Sequence, residues 1–335
     1  MGRQLAMVFD LNKCIGCQTC SVACKVLWTA EETKRQMWWC SVNTQPGRGT
    51  PRDYEKMGGG YDAAGKLVVG QLPEPEEFGG ATDFNWKEVH TSENHAQFHA
   101  KGAQPTWAMN WDEDEGAGTY PNAYFFYMPR VCNFCSKPSC VEACPNDAMY
   151  KRDDFGVVLR DESKCKGEQF CARACPYKKI YFDSVQNISQ HCIGCFPRLE
   201  HGVAPACVRQ CPGRAMFVGY RDEKDGAIHK LVDRYKVALP LHSEWNTEPN
   251  VFYVPPLSAF SARPDGTIDE SKRRIPLSYL ESLFGAGVGP ALHTLEEEMA
   301  KRRRGEKSEL IDTLIVYQWK ELLGPFDKDP AMIRW

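Results

Sequence analysis

Apolar residues first gather without alternation over residues 4–12, Gln-Leu-Ala-Met-Val-Phe-Asp-Leu-Asn, which predicts a short buried strand. Lys25-Val26-Leu27-Trp28 predicts a helical turn. Residues 43–82 carry Gly and Pro throughout, with Gly58-Gly59-Gly60 at their centre, and predict a long loop. Ala148–Lys151 and Val157–Arg160 flank Asp153-Asp154-Phe155-Gly156, the pattern of a β-hairpin. Another strand is expected at Ala215–Tyr220, and an extended segment at Val254–Leu257. Towards the end, Leu292, Leu295 and Met299 mark a short helix that closes on Lys301-Arg302-Arg303-Arg304. Glu296-Glu297-Glu298 precede that basic run, so Glu297–Lys301 and Glu298–Arg302 pairs predict a solvated helix rather than a nucleic-acid site. A last helix is expected from Ser308 to Leu323, with Ile311, Ile315, Trp319 and Leu322 on one face and Gly324-Pro325 as its stop.

Composition adds little until the cysteines are counted. The 335 residues are 42% hydrophobic and 25% charged with a net charge of −3, ordinary values for a globular chain with no global pull towards nucleic acid. No apolar run reaches the roughly 18–20 residues of a membrane helix, so no direct span is expected. The opening residues leave no room for a signal peptide before the first cysteine motif. Sixteen cysteines are many for this length, and fifteen of them fall into four clusters.

The first cluster, Cys14-x2-Cys17-x2-Cys20-x3-Cys24, is the run that wraps an iron–sulfur cube in bacterial ferredoxins, where the fourth cysteine serves a second cluster. The others are Cys132-x2-Cys135-x4-Cys140-x3-Cys144-Pro, Cys165-x5-Cys171-x3-Cys175-Pro and Cys192-x2-Cys195-x11-Cys207-x3-Cys211-Pro. The repeated Cys-x3-Cys-Pro ending marks an internal repeat. Only 20 residues separate Cys144 from Cys165, whereas 107 separate the first two motifs, so the second motif pairs with the third and the first with the fourth. Crossing the last cysteines gives four expected sites: Cys14, Cys17, Cys20 and Cys211; Cys24, Cys192, Cys195 and Cys207; Cys132, Cys135, Cys140 and Cys175; and Cys144, Cys165 and Cys171. In the third motif Glu168 stands where the other loops have their second cysteine. The expectation is three [4Fe–4S] clusters and one [3Fe–4S] cluster, with Glu168 ligating a fourth iron as the alternative. Cys40 falls outside the motifs and reads as a small buried hydrophobe. His90, His95 and His99 read as an exposed polar segment rather than a metal site. Trp107, Trp111, Tyr120, Tyr124, Phe125, Phe126 and Tyr127 read as packing over the clusters. Lys13, Lys164 and Lys166, beside ligands, are expected to raise cluster potentials. No catalytic constellation is evident.

The fold class expected is α+β: two bacterial-ferredoxin-like modules related by a pseudo-twofold repeat, with a loop-rich insertion and a helical C-terminal extension. Residues 1–30 with 185–225 would form the first module, 31–120 the insertion, 121–184 the second module and 226–335 the extension.

Arg3-Gln4-Leu5, Asp10–Cys20, Pro46-Gly47, Gly58–Tyr61, Cys132-Asn133-Phe134-Cys135, Cys175-Pro176-Tyr177-Lys178-Lys179 and Cys192-Ile193-Gly194-Cys195 resemble the iron–sulfur beta subunits of the nitrate reductase/dimethyl-sulfide dehydrogenase branch of molybdopterin oxidoreductases. The resemblance implies the same nested pairing, and an aromatic residue where this chain has Glu168. It further implies a molybdopterin-containing alpha subunit and a haem b gamma subunit, with this chain relaying electrons between them. Periplasmic location by co-export with a signal-bearing alpha subunit is expected, or else the cytoplasmic face of the inner membrane. A stand-alone polyferredoxin and a zinc scaffold are the competing readings. Metal analysis of anaerobically purified protein should give iron and acid-labile sulfide; zinc without sulfide would establish the scaffold instead.

Overall fold

The computed structural model describes residues 3–31, 34, 37–78 and 116–332. His90, His95, His99, Trp107 and Trp111 lie outside them. From the N-terminus, β1 (Leu5–Asp10) leads through the first cysteine loop into α1 (Thr19–Trp28). Across the insertion, β2 (Ser41–Gln45) pairs antiparallel with β3 (Phe126–Arg130), Ser41 opposite Arg130 and Gln45 opposite Phe126. Short α2 (Ser139–Glu142), the hairpin β4 (Met149–Lys151) and β5 (Val158–Arg160), and α3 (Phe170–Ala174) follow. A second hairpin, β6 (Ile180–Asp183) and β7 (Ile188–His191), leads to α4 (Phe196–Glu200), α5 (Ala206–Arg209) and β8 (Met216–Tyr220). Beyond lie α6 (Ala227–His229), continued as a π-helical turn over Lys230–Arg234, then β9 (Leu239–Pro240) and β10 (Val251–Val254). The chain closes with the pair β11 (Phe260–Ala262) and β12 (Ile268–Arg273), then α7 (Leu277–Phe284), α8 (Val288–Arg303) and α9 (Glu309–Ile315).

Every residue of β1 is buried. The strand runs inside a sheet ordered β8–β1–β10–β9, antiparallel to β8 (Val8 opposite Phe217) and parallel to β10 (Val8 opposite Phe252). Burial on both faces explains the unbroken apolar run, since a strand with one wet face would alternate. The sheet also brings distant cysteines together. Cys14 follows β1, Cys211 precedes β8, and the Asp10 N–H donates to the Ala215 carbonyl at 2.7 Å. One hydrophobic core runs from Leu5 through Phe134, Tyr177, Phe217 and Tyr253 to Phe326, so it draws on both cysteine-rich regions and the tail. The architecture is mixed α+β, as the pattern predicts, and both 148–160 strands and the 215–220 strand are present.

Proline shapes three of the four cysteine endings. It cannot continue a helix, so after Cys144, Cys175 and Cys211 the chain turns through Asp147, Lys178 and Arg214, each left-handed at φ 49°, 49° and 51°. Cys24 has no following proline, and α1 runs on to Trp28.

Of the expected loop 43–82, residues 43–78 are described, and they are not the free loop their composition suggests. β2 is buried throughout, as are Tyr54, Met57 and Tyr61. The Arg130 guanidinium lies 3.3 Å over the Tyr54 ring and donates to the Thr50 and Tyr177 carbonyls. The glycine run is a close backbone approach. Gly60 N–H donates to the Ala174 carbonyl at 2.9 Å, and a Cβ on Gly59 would sit 2.7 Å from that oxygen and 2.9 Å from Pro176 N. Gly59 also has φ 114°, a value L-residues avoid.

The tail departs from expectation too. α9 stops at Ile315 because Val316 is left-handed at φ 55°, and a 3₁₀ turn covers Trp319–Leu323 instead of a continuing helix. The buried face is Leu310 and Leu314, while Ile315 and Trp319 are exposed. Lys13 Nζ donates to the Leu314 carbonyl at 2.7 Å, and Arg214 Nη1 to the Val316 carbonyl at 2.9 Å. Two cations flanking Cys14 and Cys211 thus cap the helix end. In α8, Lys301 pairs with Glu298 and Arg302 with Asp312, while Glu297 pairs with His293, because α9 packs alongside. Gly59→Ala is expected to cost about 2 kcal/mol or more and to lower the melting temperature clearly. Gly266→Ala, left-handed at φ 84° but with no atom within 4 Å of the new Cβ, should cost only about 1 kcal/mol. Calorimetry on both variants checks the difference.

Candidate functional site

Each cysteine motif opens on the same backbone device. Gly16, Phe134, Gly167 and Gly194 all take positive φ, at 67°, 45°, 75° and 64°. Each sits immediately before the second position of its motif: Cys17, Cys135, Glu168 and Cys195. A left-handed residue there swings successive N–H groups to one side, a concavity suited to an anion. The N–H groups of Gly16, Phe134 and Gly194 donate to the sulfurs of Cys14, Cys132 and Cys192. Gly16 could not be replaced readily, because the Tyr127 ring would lie 2.6 Å from its Cβ. Of the expected aromatic cover, Tyr127 therefore packs on the first loop and Phe126 is buried, whereas Tyr120 and Phe125 face solvent. The first and third motifs share more. Cys14, Cys17, Cys20 and Cys24 have the same spacing as Cys165, Glu168, Cys171 and Cys175, and left-handed Gln18 and Gln169, both at φ 59°, start the helix in each.

The fold brings motif cysteines from distant stretches of the chain near one another. Cys14 feels the charges of Cys17, Cys20 and Cys211. Cys207 feels those of Cys24, Cys192 and Cys195. Cys132, Cys135, Cys140 and Cys175 line one cavity. Cys144, Cys165 and Cys171 line another together with Glu168, whose carboxylate accepts from Asn146 Nδ2 at 2.5 Å. Charge reaches between neighbouring groups: Cys207 feels Cys20 and Cys140 feels Cys171, and the Cys132 backbone N–H holds the Cys192 thiol down.

Burial pushes the thiols of Cys14, Cys135 and Cys192 up to about 12 and that of Cys171 to about 11, and raises Cys24, Cys132, Cys140 and Cys207 well above the usual thiol range. Such groups keep their protons at neutral pH unless metal cations displace them, and thiolate is the form that binds metal. Four thiolates on one zinc ion at about 2.3 Å each would lie within about 4 Å of one another. Among the described residues no three His, Cys, Asp or Glu side chains gather tightly enough for a single ion. Soft donors spread around cavities suit an iron–sulfur cluster.

The charges around the sulfurs differ from those expected. Lys164 and Lys166 are exposed, and Lys164 pairs with Asp161, so water screens both. Lys179 is a buried cation, as are Lys178 and Arg130. It is 1% exposed, donates to the Trp38 carbonyl, Ser41 Oγ and Tyr181 OH, and borders the cavity of Cys132 and Cys175. Burial pulls its ammonium down to about 7, and Arg130 pushes the same way, whereas the sulfurs of Cys24 and Cys192 favour its charge. Trp28 Nε1 donates to the Cys195 sulfur at 3.1 Å. Cys40, expected as filler, is buried as predicted but hydrogen-bonds Cys20, and its thiol pulls Cys20 below the usual range. Lys179 stood in the Cys-Pro-Tyr-Lys-Lys signature; Trp28 and Cys40 carried no local signal.

Residues 123–228 match the 4Fe-4S dicluster domain family, which makes this an iron–sulfur protein. The chain is 52% identical over 96% of its length to selenate reductase subunit beta of Thauera selenatis, covering 99% of that protein. It is 49% identical to dimethylsulfide dehydrogenase subunit beta of Rhodovulum sulfidophilum, covering 96% of this chain and 98% of that one. Against chlorate reductase subunit beta of Ideonella dechloratans the values are 52%, 96% and 99%. The chain belongs to the iron–sulfur beta subunits of the nitrate reductase/dimethyl-sulfide dehydrogenase branch of the molybdopterin oxidoreductases.

Lys179→Met should lower the midpoint potentials of the centres nearest it, by up to about 1 kcal/mol per electron and more below pH 7 than above it, because its ammonium, while protonated, stabilises the reduced, more negative state. Lys166→Met should leave potentials nearly unchanged. EPR-monitored redox titration distinguishes the two.

Proposed function

We propose that this chain is the electron-relay subunit of a molybdoenzyme complex, holding three [4Fe–4S] clusters and one [3Fe–4S] cluster. The observation that carries the reading is the crossed grouping of fifteen cysteines from four motifs. Cys14, Cys17, Cys20 and Cys211 would hold the first cluster, and Cys24, Cys192, Cys195 and Cys207 the second. Cys132, Cys135, Cys140 and Cys175 would hold the third, and Cys144, Cys165 and Cys171 the three-iron cluster. Clusters so bound supply one-electron redox chemistry.

The protein's part is spacing, insulation and charge. Cys20 and Cys24 lie one turn apart on α1, a rise of about 6 Å, yet belong to different groups. Cys140/Cys144, Cys171/Cys175 and Cys207/Cys211 repeat that spacing. Each turn therefore fixes the distance between two neighbouring centres. The common left-handed loops and matched spacings support two ferredoxin-like modules related by a pseudo-twofold repeat, residues 1–30 with 185–225 and residues 121–184. Segments 31–120 and 226–335 would be the insertion and the extension.

The reading places a molybdopterin-containing catalytic alpha subunit at one end of the relay and a haem b gamma subunit at the other, with no membrane span in this chain. Among the described residues no helix is long and apolar enough to cross a membrane. The complex would reach the periplasm by co-export with a signal-bearing alpha subunit; residence on the cytoplasmic face of the inner membrane is the alternative. Glu168 occupies the position of Cys17 in the matching loop, and its carboxylate is engaged by Asn146, which supports a site with one iron fewer.

Affinity purification of the tagged chain should bring down a molybdenum-containing large subunit; a monomer without one would support a diffusing polyferredoxin instead. The oxidised preparation should show the EPR signal of a [3Fe–4S]+ centre, and Glu168→Cys should abolish it by completing a four-iron site. A wild-type preparation lacking that signal would assign Glu168 as a ligand.

A further inference from the structure

Three of the four motif loops place a glycine, Gly16, Gly167 or Gly194, at the left-handed position, whereas the second motif has Phe134 there. A residue with a side chain pays more for that backbone than glycine does. The Phe134 ring is fully buried, and a Cβ on Gly194, the matching residue of the fourth motif, would lie 3.3 Å from its Cζ. Phe134 thus packs the loop of the second motif onto the loop of the fourth. Its backbone needs to be held in the unfavourable region while it does so.

Two side chains hold it. Lys151, at the end of β4, donates from Nζ to the Phe134 carbonyl at 3.2 Å, the Cys135 carbonyl at 2.9 Å and the Gly156 carbonyl at 2.7 Å. Asn250 is 1% exposed and immediately precedes β10; its Nδ2 donates to the same Phe134 carbonyl at 2.9 Å, and its N–H to the Asn133 carbonyl at 2.8 Å. Main-chain bonds extend the attachment, from Ser136 N–H to the Glu248 carbonyl at 2.8 Å and from Lys137 N–H to the Thr247 carbonyl at 3.1 Å. A trans peptide carries its N–H opposite its C=O. Drawing the Phe134 carbonyl to one side therefore turns the Cys135 N–H to the other, as in an anion-binding nest.

We infer that Lys151 is a positioning residue for the third centre: by gathering the Phe134 and Cys135 carbonyls it fixes the loop N–H groups on that centre and raises its midpoint potential. The inference rests on the cluster assignment given under Proposed function. N–H groups aimed at a cluster favour its reduced, more negative state. Asn250 holds the Phe134 carbonyl as a neutral donor, whereas Lys151 also spans Cys135 and the hairpin turn at Gly156.

The test is EPR-monitored redox titration of the anaerobically purified complex carrying Lys151→Met or Lys151→Arg, with Cys135→Ser as the ligand change that marks the third centre's signal. Methionine keeps the apolar stem and loses the donors, while arginine keeps donors and charge. Lys151→Met should lower the third centre's midpoint potential by an amount equivalent to about a tenfold change in the oxidised-to-reduced ratio, about 59 mV for one electron, and leave the first centre unchanged. Lys151→Arg should restore most of the loss. Absence of the third centre alone with Met, and its retention with Arg, would also support the role. An unchanged potential with Met, equal shifts in Met and Arg, an equal shift at every centre, loss of every centre with Met, or loss of the third centre in both variants would overturn it and leave Lys151 as a tie within the fold. Wild-type protein without iron–sulfur clusters would refute the relay itself, a result separable from unchanged potentials in loaded variants.

Discussion

A single turn of helix between two cysteines is the constraint on which this molecule depends. Four residues of α-helix advance the chain by about 6 Å, so Cys20 and Cys24 on α1 stand one turn apart along the backbone. In the proposed relay that pair serves the first two centres, and the pairs that begin in α2, α3 and α5 and end just beyond them serve neighbouring centres in the same way. The rest of the fold keeps these short helices in place. Helices of four or five residues have no stability of their own, so they lean on the sheet around β1, on the two hairpins and on the backbone contact of Gly58–Gly60.

Around that skeleton the chain solves an electrostatic problem. Many sulfurs sit in low-dielectric surroundings that oppose their ionisation. Main-chain N–H groups from left-handed loops and the Trp28 indole donate to them, and the charge of the Lys179 ammonium reaches Cys24 and Cys192. Lys179 would be a poor choice for an ordinary core, because an ammonium without a carboxylate partner is expensive to bury. Beside anionic clusters the same charge is favourable. The buried cation and the sulfur groups therefore explain each other.

Much of this was legible in the residue order. Cysteine spacing pointed to iron–sulfur ligation, since ligand chemistry tolerates few arrangements, and the match of residues 123–228 to the 4Fe-4S dicluster family agrees. The continuous apolar run of β1 and the hairpin at 148–160 also followed from local pattern. What escaped was set by contacts distant in sequence. Residues 43–78 looked like loop because glycines that accommodate the backbone at Cys175 have the same composition as glycines that let a chain wander. The break at Val316 was hidden because Lys13 and Arg214, both far earlier in the chain, donate to the carbonyls that end α9. Of the lysines adjacent to ligands in sequence, Lys164 and Lys166 are exposed, while Lys13 is largely buried within reach of the Cys211 charge, and buried Lys179 comes from further along the chain.

The central claim is that each Cys-x3-Cys turn divides its sulfurs between two centres. Diffraction from the anaerobic complex at the iron absorption edge tests it most directly, by locating iron relative to individual sulfurs. The account predicts four separate iron sites in a row, with Cys20 on the first and Cys24 on the second. Iron density joining Cys14, Cys17, Cys20 and Cys24 around one centre would contradict it.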